Sequence, residues 1–508
     1  MTVAVLMAKV CGMLRDMVMA NLYGTVTDAA IAFSVASRVP LLFFDIALGS
    51  AVTSAFIPIY NEYMAKDEMQ RAREFSNQFI SLVACITLLL AGIGVIFSRP
   101  LILLIAGGLE ADKLALASQL VVILFPTIIF TGIAYCFVGI LQSHGEFYIP
   151  SIISLVSNGL LILYLLVFGD KFGIRGVAIA MLCAWGAQCL VQIPTLWKLG
   201  YRYRPDFRFG SEGIRKVCKL AVPIIISTWM QPINVMVNTR LASGLNGGAA
   251  VPALDYANKI YIILVGVFTF SITNLIFPSL SRAGATENKA EFRGIVGKAV
   301  RYIVLMIAPI MVGFLILSKP IIRLFYERGA FDAQSTALTS LALFCYSLGM
   351  LGYGIQEICN KGFYALQDGK TPMKVAFGGI AVNILLSLLF VLGLDVGLGG
   401  LALAASVAAN VIGFTLLILL GRKAEGLLNK QLLLFFARIA VCVLVMGAGV
   451  FGTYWGITQL TANKIIVLFC PIAAGVVLYF GMCLLLRVPE LTDIVTMARN
   501  KLTGGRGV

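Results

Sequence analysis

Arg15 and Asp16 stand side by side in the middle of an apolar stretch running from Thr2 to Tyr23, with Lys9 less than two turns earlier. The next apolar stretch opens on Asp28 and carries Arg38 and Asp45, seven residues apart and therefore on one helix face. Further along, Lys259 follows Asp255 by one turn, Arg240 closes an apolar run, and Glu357 and Lys361 are spaced i, i+4. In hydrocarbon an ionised side chain costs from about 2.5 to more than 10 kcal/mol, so such residues face a cavity or a partner. Adjacent residues on a helix point roughly 100° apart, so Arg15 and Asp16 are not expected to neutralise each other, and Arg15 is expected to lack a partner on its own face. For Glu357 and Lys361, near the end of their stretch, local ion pairing is the expectation. A guanidinium fork matches phosphate oxygens bidentately, and an ammonium adds a point charge. The chemistry expected of such a set is recognition of an anionic headgroup.

These residues are carried by elements that cross a membrane. The chain of 508 residues is 60% hydrophobic and 12% charged, with a mean hydropathy of +0.95. Soluble chains carry roughly twice that charged fraction. Apolar runs near the length of a bilayer-spanning helix recur from end to end. Fourteen spans are predicted, at 2–22, 28–60, 77–97, 115–141, 148–168, 174–197, 217–241, 255–279, 299–317, 335–360, 372–393, 398–420, 431–455 and 464–486. The first is followed by more membrane sequence and no small-residue cleavage site, so it is not a secretory signal. Met1 lies so close to it that a short leader is expected upstream.

Basic residues set the orientation. Of 39 Lys and Arg, 25 fall in the loops after even-numbered spans and in the tail from Arg487 on, 8 in the opposite loops and 6 within spans. The positive-inside bias then puts both termini in the cytoplasm. That one-sided distribution also argues against nucleic acid as the reason for the net charge of +15. Cys85, Cys136, Cys183, Cys345, Cys442 and Cys470 lie singly in apolar spans and read as inert core residues. His144, the sole histidine, sits beside Gly145 with no second ligand, so no metal site is expected there.

The chain repeats itself at 220–225 residues. Ser98-Arg99-Pro100 matches Ser318-Lys319-Pro320, and Phe56-Ile57-Pro58 matches Ile276-Phe277-Pro278. Leu141-Gln142 precedes Asn158 as Leu366-Gln367 precedes Asn383. Gly173-Ile174-Arg175-Gly176 matches Gly397-Leu398-Gly399-Gly400. An even number of spans separates the copies, so the duplication is parallel, and such repeats hold their substrate between the halves near the midplane.

Several motifs stand out, of which those at 326–331 and 363–372 are specific. Gly12-Met13-Leu14-Arg15-Asp16 with Thr27-Asp28-Ala29, Tyr326-Glu327-Arg328-Gly329-Ala330-Phe331, and Phe363-Tyr364-Ala365-Leu366-Gln367-Asp368-Gly369-Lys370-Thr371-Pro372 resemble the lipid II flippase family along essentially the whole chain. The resemblance implies the fold of the multidrug/oligosaccharidyl-lipid/polysaccharide exporter superfamily: an all-α polytopic protein of fourteen spans, with two six-helix lobes at 1–200 and 201–424 around a cationic cavity. Spans 13 and 14, within 425–508, would form a groove for the lipid tail, followed by a cytoplasmic tail. It implies a bacterial inner-membrane location and a monomer. The cargo would be lipid II, an undecaprenyl-pyrophosphate-linked disaccharide pentapeptide, among membrane lipids, with no cofactor. By resemblance the substrate-binding set is Arg15, Asp16, Asp28 and Lys259, joined by Arg38 and Arg240. Lys259 in Tyr256-Ala257-Asn258-Lys259 takes the place of a family arginine, and Asn258 that of an aspartate. Some relatives use a sodium site with carboxylates. Here Asn383 is the weak candidate, and Ser387 one turn later is not acidic. A flippase for another polyprenyl-linked glycan shares the pyrophosphate logic. A cation-coupled drug exporter of the same fold would want an acidic cavity, and a membrane scaffold would bury no mid-span arginine.

Overall fold

A computed structural model of the chain describes residues 2–48, 52–285, 289–424, 426–427 and 429–491. The tail expected in the cytoplasm lies largely outside them. The described residues form nineteen α-helices and no strand. In order these are α1 (Thr2–Tyr23), α2 (Asp28–Ala47), α3 (Ile57–Ala65), α4 (Met69–Ile96), α5 (Ser98–Ala106), α6 (Ala111–Leu124), α7 (Thr127–Ser143), α8 (Tyr148–Phe168), α9 (Gly173–Lys198) and α10 (Glu212–Thr228). There follow α11 (Met230–Ser243), α12 (Ala250–Ala285), α13 (Lys289–Phe325), α14 (Ala333–Ser347), α15 (Met350–Ala365), α16 (Lys370–Leu388), α17 (Leu398–Lys423), α18 (Lys430–Leu460) and α19 (Lys464–Leu485).

Among the described residues eleven helices are long and apolar enough to cross a membrane, or twelve if α14 and α15, bent by 47° at a short break, count as one span. Two stretches expected to cross fall short for visible reasons. In α1 the charges of Lys9, Arg15 and Asp16 interrupt the apolar run. The stretch 217–241 is broken at Trp229 into α10 and α11, each too short alone. The expected span 28–60 is also interrupted. Helix α2 ends at Ala47, a π-helical turn occupies Val52–Phe56, and α3 restarts with Pro58 in its first turn. The outer surface is apolar: Leu88, Leu166, Leu444 and Leu485 are each more than 60% exposed. Such a surface suits hydrocarbon rather than water.

The described residues fall into two compact units, one drawn from Met1–Pro252 and Arg328–Ser335, the other from Ala253–Glu327 and Thr336–Val508. In the first, α8 packs on α1 and α9, α9 also on α7, α2 on α6, and α11 on α5 and α2. The segment Arg328–Ser335 joins it through the amide of Ala330, which donates to the Asn21 carbonyl at 2.8 Å. Gly24 is in the left-handed region, φ 65°, and a Cβ there would lie 2.4 Å from the Ala330 oxygen, so only glycine fits. In the second unit α17 packs on α15 and α16, and α13 on α15, α18 and α19. Tyr479 Oη donates to the Leu305 carbonyl at 2.7 Å, and Arg301 pairs with Glu490 at 2.5 Å, fastening α19 and the turn after it to α13.

The internal repeat is visible in the backbone. Packing of α9 on α7 and α8 is matched by α17 on α15 and α16. Left-handed turns recur at Gly24 and Gly247, Gly145 and Gln367, and Gly173 and Gly397, spacings of 223, 222 and 224. Gln367 is thus the counterpart of Gly145 rather than of Gln142: both close a helix with the same pair of amide bonds, Glu146 to Leu141 and Asp368 to Phe363 (2.9 Å each), Gly145 to Gln142 and Gln367 to Tyr364 (3.0 Å each).

Of the six cysteines expected in the core, Cys136, Cys345 and Cys442 are buried, whereas Cys85, Cys183 and Cys470 lie on the exposed face. A small weakly polar thiol is tolerated by lipid as well as by a core. His144 caps α7, its Nδ1 3.0 Å from the Ile140 carbonyl.

Candidate functional site

Arg15 sits mid-way along α1 and faces α8. Its Nη1 donates to Asn158 Oδ1 at 2.9 Å, and its Nη2 and Nε donate to Asp16 Oδ1 at 2.7 and 3.1 Å. The expectation that Arg15 and Asp16 do not neutralise each other is therefore wrong. Their Cα–Cβ vectors diverge, but the arginine side chain is long enough to fold back until its fork meets the neighbouring carboxylate. Asp16 is buried, at 6% exposure, while the Arg15 side chain keeps 27%. A pocket of about 170 Å³ opens beside the guanidinium between α1, α8 and α9. Its polar lining is Arg15, Ser154, Ser157, Asn158 and Gln188, with Trp185 on one wall. Gln188 is buried and donates to Ser157 Oγ at 2.7 Å, which fixes the wall behind Asn158.

Arg38 reaches α11 beside the position of Arg240. Arg38 Nη1 donates to Thr239 Oγ1 at 2.8 Å, ending one residue from Arg240 along that helix. Thr239 is fully buried; Arg240 is exposed, and its guanidinium carbon lies 3.2 Å from where a Cβ on Gly107 would stand. Asp28 is elsewhere. It occupies the first turn of α2, its side chain 63% exposed, and lies 3.7 Å from Lys113, which also donates to the Gly247 carbonyl. A carboxylate there complements the helix dipole, and no contact joins it to Arg15 among the described residues.

In the second unit Lys259 lies 5.6 Å above the Tyr256 ring, which packs against Tyr326 with centroids 4.9 Å apart. Lys259 and Asp255 both make further interactions. Among the described residues no contact within 4 Å joins Glu357 and Lys361; the two still interact electrostatically at longer range, while Lys361 places its ammonium 5.2 Å over the Phe277 ring. A half-buried cation gains from a ring quadrupole without ordering a second long side chain. Asn383 and Ser387 are buried one turn apart on α16, and no group of three or more His, Cys, Asp or Glu gathers among the described residues.

A family model described as "Lipid II flippase MurJ" matches residues 19–474. The chain belongs to the lipid II flippase MurJ family. It is 28% identical to the "Probable lipid II flippase MurJ" of Vibrio cholerae, covering 96% of this chain and 95% of that one. It is 29% identical to the protein of the same name from Rhizobium meliloti, covering 94% and 91%. The solved structure "Lipid II flippase MurJ, inward closed conformation" superposes with a TM-score of 0.81 at 25% identity over 96% of this chain and 98% of that one. An inward-facing multidrug resistance MATE transporter of the MOP superfamily gives 0.67 at 14% identity over 83% and 95%, a likeness of fold alone. As a MurJ-family chain it is a multi-pass membrane protein built for transport.

Sequence reasoning missed Asn158 and Gln188 as neighbours of Arg15 in this pocket. Both are uncharged amides within apolar spans, and Asn158 drew notice only as a marker of the repeat. The available signal was polarity at mid-span, where an amide needs a partner as a charge does.

Proposed function

We propose that this chain moves lipid II from the inner to the outer leaflet of the bacterial cytoplasmic membrane by alternating access. The reading is supported above all by family membership over residues 19–474, together with a mid-span arginine that keeps part of its fork open to a polar pocket. Fourteen helices cross the membrane, α1 and the broken α10–α11 stretch included, with both termini in the cytoplasm and the protein acting as a monomer. Arg15, oriented by Asp16 and Asn158, and Lys259 bind the pyrophosphate as members of the cationic set, with lobes expected at 1–200 and 201–424. Arg38 and Arg240 add positive charge, and Asp28 joins the set by its family position alone. Residues 425–508 hold the polyprenyl tail and end in the cytoplasmic tail. Rocking of the lobes then exposes the site outward. The membrane potential assists, since a charge crossing it gains about 2.3 kcal/mol per 100 mV. No covalent chemistry is involved. Expression in cells depleted of their own lipid II flippase tests the reading: restored growth with lipid II accessible at the outer face supports it, and failure at normal membrane levels of the protein refutes it.

A further inference from the structure

The first unit holds a second pocket, apart from the one beside Arg15. It measures about 490 Å³ and lies at the C-terminal end of α9, lined by Phe137, Ile193, Leu196, Trp197, Tyr201, Arg202 and Tyr203. Its form follows from the way α9 stops. Gly200 adopts φ 72°, the Gly200 amide donates to the Trp197 carbonyl and the Tyr201 amide to the Leu196 carbonyl, both at 2.9 Å. This paired closure folds the chain back on the helix and sets Tyr201 against Leu196. The strap that follows is pinned to the polar start of α4. Tyr201 Oη donates to Asn77 Oδ1 at 2.8 Å, Tyr203 Oη and Ser81 Oγ share a bond of 2.9 Å, and Gln78 donates to Asp206 at 3.0 Å. Arg208 forks onto Asp206 and, with Gln78, holds that carboxyl well below the usual carboxylate range, so the strap stays fastened at neutral pH.

What the strap presents is an apolar trough with an amphipathic rim. Leu196 and Phe137 form the floor, both buried, while Trp197 is 61% and Tyr203 38% exposed. Exposed Trp and Tyr at the end of a spanning helix sit at headgroup level. Arg202, exposed between two tyrosines, is the charge at the trough's mouth. We infer that this pocket is a binding site for an anionic membrane phospholipid such as phosphatidylglycerol, its phosphate on Arg202, its glycerol region between Trp197 and Tyr203, and an acyl chain along Ile193 and Phe137. The volume suits a small-molecule site, and one guanidinium in an apolar trough complements one phosphodiester. The site is separate from the transport site and does not depend on what is transported.

Trp197 reports on it directly. The full-length chain is reconstituted in vesicles of phosphatidylcholine and phosphatidylglycerol, free of polyprenyl lipids, with brominated acyl chains on one or the other. Quenching of the wild type minus that of Trp197→Phe isolates Trp197 among the four tryptophans. A basic residue at the surface contributes about 1 kcal/mol toward an anionic lipid, so Trp197 quenching favours brominated phosphatidylglycerol by about fivefold. In Arg202→Gln that ratio falls close to one while transport is retained. Equal quenching by both lipids in the wild type, the behaviour of an ordinary lipid-facing tryptophan, overturns the proposal. So does a preference that survives Arg202→Gln, which would put the headgroup on another basic residue.

Discussion

Replacing Asn158 by alanine removes the acceptor of the 2.9 Å bond from Arg15 Nη1 and leaves the Arg15–Asp16 pair in place. A hydrogen bond to a charged group contributes about 1.5–3 kcal/mol. The 27% exposure of the Arg15 side chain puts this one near the lower figure, so a fork that must be aimed at phosphate loses roughly tenfold in transport. Asn158→Asp keeps the shape and tests the sign. Arg15 and Asp16 together are near neutral, and a second carboxylate makes the cluster net negative. At about 5 Å from a phosphate, with an effective dielectric constant near 20, that charge adds about 3 kcal/mol of repulsion, more than a hundredfold. Arg15→Ala removes the fork and abolishes transport while the protein stays folded. The assay is growth and outward lipid II exposure in flippase-depleted cells at matched membrane levels, with melting in detergent as the check on folding. Wild-type growth supported by Asn158→Asp would refute phosphate binding at Arg15.

Lys259→Arg keeps most transport, because the charge stays beside Tyr256, and Lys259→Gln loses it; recovery in the double variant Asp255→Asn, Lys259→Gln, measured by the same complementation, would leave only a structural ion pair. Asp368 is held well below the usual carboxylate range by Lys423 and Thr371. Its contribution is present above the unfolded value of about 3.9 and is lost as pH falls through the lower folded value. The melting-temperature gap between wild type and Asp368→Asn in detergent therefore holds from pH 7 to about 4 and closes below that. A gap unchanged at pH 2 would show that the contact is not electrostatic. Gly200→Ala forces a Cβ into the left-handed region at a cost of about 1 kcal/mol, read as a lower melting temperature and faster proteolysis within Tyr201–Ser211.

Long apolar runs dictate helices in hydrocarbon, because every backbone amide there must be satisfied within its own segment. For that reason the all-helical membrane fold, and helices such as Thr2–Tyr23 and Tyr148–Phe168, were legible in the sequence. The duplication was legible too where a turn calls for glycine, as at Gly173 and Gly397, but not where Gln367 stands in the place of Gly145. Family motifs carried the transport reading, and the cost of a mid-span charge singled out Arg15 and Lys259. Partners were a different matter. A helical wheel places Cβ atoms but not the end of a six-bond side chain, so Arg15 reaching Asp16 and Asn158, and Lys361 lying over Phe277, were decided only by packing. The breaks at Trp229 and after Ala47 likewise depend on what the helix ends meet. Sequence fixes which side chains are too costly to leave in lipid; the tertiary structure decides which neighbours relieve that cost, because reach and competition among partners are set by residues far away in the chain, as Asn158 is from Arg15.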